Sequence, residues 1–136
     1  MIRQSLFLIK PNAVAEGHVG DIISIVEREH FRIKAMRMFR FDKELSALFY
    51  KDHLNKEFYP RLESFMCSGD TVAMILEKEN AIHDLRELMG DVVPEKRKPG
   101  SIRALYGKGI TDNGAHASDC EQSAVREIKV LFGKNI

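Results

Sequence analysis

The residues best suited to chemistry lie together in one stretch, Asn113-Gly114-Ala115-His116-Ala117-Ser118-Asp119-Cys120-Glu121. It places a histidine where a loop should pass through a short strand into a helix. Ser118 follows two residues on, and Glu127 lies in the helix beyond. A histidine side chain has a reference pKa of about 6.5, so a neutral ring is available near pH 7 as nucleophile or base. The glycine and alanines around it leave room for a bulky substrate. The same residues also fit a plain surface histidine near a helix start, and their types alone do not choose between the two.

Other chemistries find little support. There is no GxxxxGK[ST] loop, no strand-GxGxxG-helix unit, and no HRD or DFG pair. Gly107-Lys108-Gly109 is too short a pattern to carry a phosphate loop. His116 and Cys120 stand four apart, but no second pair completes a tetrahedral metal set, so no protein metal site is expected. Cys67 and Cys120 form neither a CxxC nor a disulfide framework, and both read as buried or half-buried thiols.

Bulk properties narrow the class further. The 136 residues hold 21 Lys+Arg against 20 Asp+Glu, a net charge of +1. That balance argues against bulk attraction to nucleic acid or anionic membrane, while leaving room for a local basic pocket. No apolar run approaches the ~20 residues of a membrane span. The N-terminal stretch lacks the features of a signal peptide, so a cytoplasmic location is expected. A chain of this length reads as one domain, residues 1–136.

The elements that must position the histidine follow from periodicity. Ser5 to Ile9 reads as a buried strand stopped by a turn at Lys10-Pro11-Asn12. Val19, Ile22, Ile23 and Val26 form one face of a helix running to about His30. Phe31 to Phe41 alternates, then slips near Met36 and Met38, predicting a long strand with a bulge. Asp42 can cap a helix carrying Leu45, Leu48 and Phe49. Phe58, Leu62, Phe65 and Met66 share a second face, a pattern that reads Phe58 as core. Thr71–Leu76 is a buried strand. Asn80 caps a helix containing Ile82, Leu85, Leu88 and Met89. Residues 91–114 show no period and read as a long loop. A short strand follows, then a helix near Glu121 to Phe132 with Val125, Ile128, Leu131 and Phe132 on its apolar side. Setting aside the inserted helical pair, the order β-α-β-β-α-β is an α+β, ferredoxin-like split βαβ sandwich. It predicts a four-stranded antiparallel sheet covered by helices, with a long loop before the last strand.

With these residues in view, the chain resembles the nucleoside diphosphate kinases, whose active-site signature is Asn-x-x-His-Gly-Ser-Asp. The likeness covers nearly the whole chain. It includes Phe7-Leu8-Ile9-Lys10-Pro11-Asn12-Ala13, Gly17-His18-Val19-Gly20-Asp21-Ile22-Ile23, Phe65-Met66-Cys67-Ser68-Gly69, Arg86-Glu87-Leu88-Met89-Gly90 and Lys98-Pro99-Gly100-Ser101-Ile102-Arg103. The resemblance implies transfer of the γ-phosphate of a nucleoside triphosphate, typically ATP, to a nucleoside diphosphate. His116 would be the nucleophile of a ping-pong reaction through a phosphohistidine. It makes Glu127 the group that orients the ring, Ser118 its hydrogen-bonding neighbour and Tyr50 a tyrosine near it. Lys10, Arg86 and Arg103 would contact phosphate. Phe58 would stack on the base with Ile110 on its other face, and Asn113 and Lys10 would reach the sugar. Mg²⁺ is expected to arrive with the nucleotide, and the family's tetramers or hexamers make a homo-oligomer the expectation. Little chain remains after the last helix to clamp neighbours. His18, His30, His53 and His83 have no assigned role and read as surface or structural.

Three positions depart from the family pattern: Ala104 and Ala117 replace glycines, and Val92 replaces a phosphate-binding threonine. A methyl group at Ala104 or Ala117 would strain any turn that needs positive φ. Two rival readings remain. A ferredoxin-like nucleic-acid-binding module would need solvent-facing aromatics on the sheet and a basic face, and the +1 charge and missing RNP pattern weigh against it. A catalytically weakened scaffold rests only on the three departures.

Overall fold

The computed structural model describes residues 1–133. The expected little tail after the last helix falls partly on residues 134–136, outside the described residues. The chain forms four strands, β1 (Ile2–Ile9), β2 (Arg32–Arg40), β3 (Asp70–Glu79) and β4 (Ala115–Ala117). They make one antiparallel sheet in the order β2-β3-β1-β4, the ferredoxin-like arrangement. Around it lie α1 (Pro11–Ala15), α2 (Val19–Arg28), α3 (Lys43–Phe49), α4 (Tyr59–Met66), α5 (Ala81–Met89), α6 (Ile102–Tyr106) and α7 (Glu121–Phe132). No described helix is long and apolar enough to cross a membrane.

The central strands β1 and β3 are buried on both faces, and the period of two in a strand sorts their side chains into two cores. Phe7, Ile9, Val72, Met74 and Leu76 pack against α2 and α5 through Ile22, Val26, Ala81, Leu85 and Met89. Leu6, Leu8 and Ala73 face the opposite way. They pack with Phe41, Phe49, Tyr50, Tyr59, Leu62, Met66 and Leu131, from the α3–α4 segment and α7. This sorting places the site, because His116 pairs across the ladder with Leu8 while Ala115 and Ala117 pair with Ile9 and Phe7. Directly opposed residues share a face. His116 therefore points to the α3 and α7 side, and its two alanine neighbours pack under α2 and α5.

Several local expectations are corrected. The Lys10-Pro11-Asn12 turn opens a short helix, with Pro11 in the first turn where its missing N–H costs nothing. The irregularity of β2 falls between Ile33 and Ala35, a little before the predicted slip. Asp42 does cap α3, accepting from Leu45 N–H at 2.7 Å. Asn80 stands before α5 in the left-handed region (φ 58°) but caps no backbone N–H; its amide reaches Asp84 Oδ1 at 3.3 Å. The aperiodic stretch after Asp91 contains α6, capped by Ser101 Oγ accepting from Ala104 N–H at 3.3 Å. In α7 the buried side is Ala124, Glu127 and Leu131, and Val125 is 69% exposed. Cys67 is half-buried, but Cys120 is exposed.

Candidate active site

A cleft of about 500 Å³ opens between the α3–α4 segment, the start of α7 and residues 91–113. Nine of the ten residues singled out from sequence line it: Lys10, Tyr50, Phe58, Arg86, Arg103, Ile110, Asn113, His116 and Glu127. The tenth, Ser118, is fully buried. It continues the ladder after β4 ends, donating its N–H to Leu6 O at 3.1 Å and accepting Leu6 N–H on Oγ at 3.1 Å. Its hydroxyl donates to Glu127 Oε1 at 2.8 Å, and the same oxygen takes the His116 Nε2 contact at 3.0 Å. A carboxylate only accepts, so Nε2 carries a proton, and in the neutral ring Nδ1 keeps its lone pair. The ring meets Phe49 edge to face, with centroids 5.3 Å apart. A strand, a helix and an aromatic wall thus fix the imidazole on three sides.

The cationic groups are held by different means. Lys10 ends β1, its N–H bonded to Gly114 O at 2.9 Å, and its side chain is buried. Burial, then the Arg103 charge, lowers its pKa to about 7, against a smaller opposing pull from Asp112. Arg103 is 6% exposed and donates to Gly90 O at 3.1 Å and Ala115 O at 2.9 Å, tying the end of α5 to β4. Burial first, then Arg86 and Arg97, lowers its pKa to about 10. Arg86 is exposed on the rim. Two like charges crowded into a buried site are the electrostatic signature of a pocket that expects an anion.

Buried polar atoms without partners point the same way. Of the six such atoms among the described residues, four belong to residues that line the cleft: Tyr50 OH, His53 Nδ1, Arg103 Nε and Asn113 Oδ1. The Tyr50 hydroxyl is pushed well above its ordinary pKa by burial and then by the Glu127 charge, so it remains a donor. Gathered in one cleft, these atoms are free to bond to what enters it.

Two apolar residues stand at the mouth. Phe58 is 45% exposed and Ile110 61% exposed, an unusual state for large apolar groups lining one cleft. Helical periodicity assigned Phe58 to the core. It instead precedes the first turn of α4, where the spacing of that helix's face no longer governs it. Val92 also lines the cleft, and so does Thr111. Ser101 caps α6 and does not line it. The strain expected at Ala104 and Ala117 is absent, since the only described non-glycine residues with positive φ are His30 and Asn80.

Sequence reasoning missed Phe49, Asp52, His53, Arg61 and Arg126, all of which line the cleft. His53 had been read as surface or structural. It stacks on Tyr50 with centroids 5.9 Å apart and meets Phe58 edge to face at 5.5 Å. Arg61 lies three residues after Phe58, a helical spacing that could have found it. Arg126 donates to Phe49 O at 3.0 Å, a contact across 77 residues that no local pattern announces.

Comparison with known proteins agrees with this geometry. The family model described as nucleoside diphosphate kinase matches residues 3–136. A nucleoside diphosphate kinase of Actinobacillus pleuropneumoniae serotype 3 is 47% identical over 135 residues, covering 99% of this chain and 98% of that protein. One from Methanocaldococcus jannaschii is 41% identical, covering 97% and 94%. Among solved structures, the Aquifex aeolicus nucleoside diphosphate kinase superimposes with a TM-score of 0.93 at 39% identity, covering 97% and 96% of the two chains. That of Halobacterium salinarum, solved in complex with CDP, gives 0.94 at 32% identity, covering 99% and 90%. With likeness of this extent over nearly its whole length, the chain belongs to the nucleoside diphosphate kinase family of phosphotransferases.

Proposed function

We propose that the chain, as one catalytic domain, transfers the γ-phosphate of a nucleoside triphosphate, typically ATP, to a nucleoside diphosphate through a phosphohistidine at His116. The observation that carries the reading is the Ser118–Glu127–His116 chain, which engages Nε2 as a donor and supports Nδ1 as the attacking atom. The Nδ1 lone pair attacks the γ-phosphorus, the bond to the β-γ bridging oxygen breaks, and the diphosphate departs with the electron pair. The ring gains positive character as the N–P bond forms, and the Glu127 carboxylate on Nε2 offsets it. The second half-reaction runs the same step backwards onto a new diphosphate.

The remaining groups position and neutralise, which is most of what phosphoryl transfer requires. Arg103 and Arg86 hold phosphate oxygens, Arg103 having Nε unspent. Tyr50 donates its free hydroxyl at the reacting phosphate. Asn113 Oδ1 accepts from a sugar hydroxyl and Lys10 donates to sugar and phosphate. Phe58 and Ile110 sandwich the base, and contact with its flat face rather than its edges tolerates every base.

Among the described residues no cluster of three His, Cys, Asp or Glu could hold a metal. A Mg²⁺ would arrive with the nucleotide, and the Asp52 and Asp119 carboxylates that line the cleft would help to hold it. Bound there, it would neutralise phosphate charge. The assembly is proposed as a homo-oligomer, tetramer or hexamer, and the location as cytoplasmic.

The test is to incubate the protein with γ-labelled ATP and Mg²⁺ and map the label. It should be acid-labile, base-stable, discharged by added dTDP, and lost in His116→Ala. Label surviving in that variant places the nucleophile elsewhere; wild type that neither labels nor exchanges phosphate is a scaffold.

A further inference from the structure

Two turns supply cleft residues that no strand or long helix holds. Residues 91–93 carry Val92, and residues 108–112 carry Ile110 and Thr111. Each turn closes on itself. Val93 N–H donates to Asp91 Oδ1 at 2.9 Å. Lys108 N–H donates to Asp112 O at 2.9 Å, and Gly109 N–H to Asp112 Oδ1 at 2.8 Å. Among the described residues, no hydrogen bond runs directly from one turn to the other. The link is a single side chain, Arg97.

Its guanidinium spends all three nitrogens on backbone carbonyls. Nε donates to Asp91 O at 3.0 Å, and Nη2 donates to Val92 O at 2.9 Å. The same Nη2 reaches Gly109 O at 2.7 Å, and Nη1 reaches Lys108 O at 3.3 Å. A half-buried arginine ordinarily turns to water or a carboxylate, and Arg97 has no carboxylate partner among the described residues. The planar fork makes such a bracket possible, because its donors are fixed relative to one another. A lysine offers one nitrogen on a flexible stem.

We propose that Arg97 is a positioning residue for nucleotide binding, clamping the Val92 turn to the Ile110 turn so that this wall of the cleft is set before a nucleotide arrives. The inference rests on the nucleotide-transfer reading above. A wall already in place spares the ordering cost that a ligand would otherwise bear. The clamp matters more here because Val92 offers no hydroxyl to hold a phosphate, so that turn cannot be ordered by a bond to the ligand. The guanidinium also adds positive charge behind Val92, and its effect reaches Arg103. Arg97 touches none of His116, Ser118 or Glu127, so it acts on binding rather than on the chemical step.

The test measures steady-state kinetics and ADP affinity for wild type, Arg97→Ala and Arg97→Lys, with hydrogen exchange of the full chain. Both variants should raise KM and the ADP Kd about fivefold or more, keep kcat within about twofold, and exchange faster at 91–93 and 108–112. Unchanged KM in both overturns the proposal. So does recovery in Arg97→Lys, which would make charge the operative feature, or a fall in kcat at constant KM. If Arg97→Ala does not fold, Arg97→Lys decides alone, and failure of both to fold assigns Arg97 to folding. Wild type that binds no ADP sinks the nucleotide-transfer reading itself, a result separable from all of these.

Discussion

The floor of the cleft and its rim are built differently. On the floor, His116, Ser118 and Glu127 sit on a strand ladder and a buried helix face, and every polar contact among them is between largely buried groups. On the rim, Phe58, Val92 and Ile110 are exposed, and side-chain donors brace the backbone, Arg97 linking two nearby turns and Arg126 reaching the distant Phe49 carbonyl. Chemistry that tolerates little misplacement is mounted on the rigid part. The recognition proposed for this cleft, which must admit and release a nucleotide, falls where few packing contacts resist opening. Arg103 and Arg86 fall on opposite sides of that division although the same ligand group is proposed for both.

This pair gives the largest expected difference. Arg103→Ala and Arg86→Ala should each lower kcat/KM about tenfold or more, since a charge-assisted hydrogen bond contributes roughly 1.5–3 kcal/mol. Only Arg103→Ala should also lower stability, by about 1–3 kcal/mol, because Gly90 O and Ala115 O lose their donor. Burial makes Arg103 part of the fold as well as of the cleft. Equal denaturant midpoints for the two variants would erase the floor-and-rim division.

Lys10 sharpens the comparison through pH. In the open cleft its pKa is lowered to about 7, mainly by burial. A bound phosphate restores the ammonium, so the complex holds more protons than the free protein above pH 7. ADP affinity should be full below about pH 7 and fall as pH rises above it, by at most tenfold per unit. Binding should take up protons in calorimetry across buffers of different ionisation enthalpy, and Lys10→Met should abolish that uptake. Flat affinity and no uptake between pH 7 and 9 would separate Lys10 from the phosphates.

The smallest effect is at Val92, which is 39% exposed at the cleft. Val92→Thr should tighten ADP by about 1 kcal/mol, roughly fivefold, if a donor is simply missing. Thr111 is the alternative donor to test, because it lines the cleft and Ser101 does not. No gain from Val92→Thr, with a loss from Thr111→Val, would show that Thr111 already serves. No change from either substitution would place both side chains away from the phosphates.

Much of this was legible in the sequence where the physics is local. The unbroken apolar run of β1, the Asp42 cap and the small residues flanking His116 each state their structure within a few positions. Val125 misled because a helix face set by apolar residues alone ignores that Glu127, a charged group, holds the buried position. The core absorbs it by pairing its carboxylate with Ser118 and His116. Helix α6 was hidden because five residues give no period to detect. Arg126 depends on a contact made only after α3 and α7 converge, and no window of neighbouring residues contains that information. His53 differs, since its partners Tyr50 and Phe58 lie within five residues, but nothing in their types announces that the three rings meet.

The ladder beneath His116 has a consequence in time as well as space. Ser118 bonds Leu6 across 112 residues, and β4 can pair with β1 only after every other strand has been synthesised. Closing so long a separation is entropically slow, and chains with many such contacts fold late and gradually. On the ribosome, at about 5–20 residues per second, an emerging chain could assemble β1, β2 and β3 with their helices well before His116 appears. A nascent chain would thus pair three strands first, and the strand that carries His116 would join the sheet last.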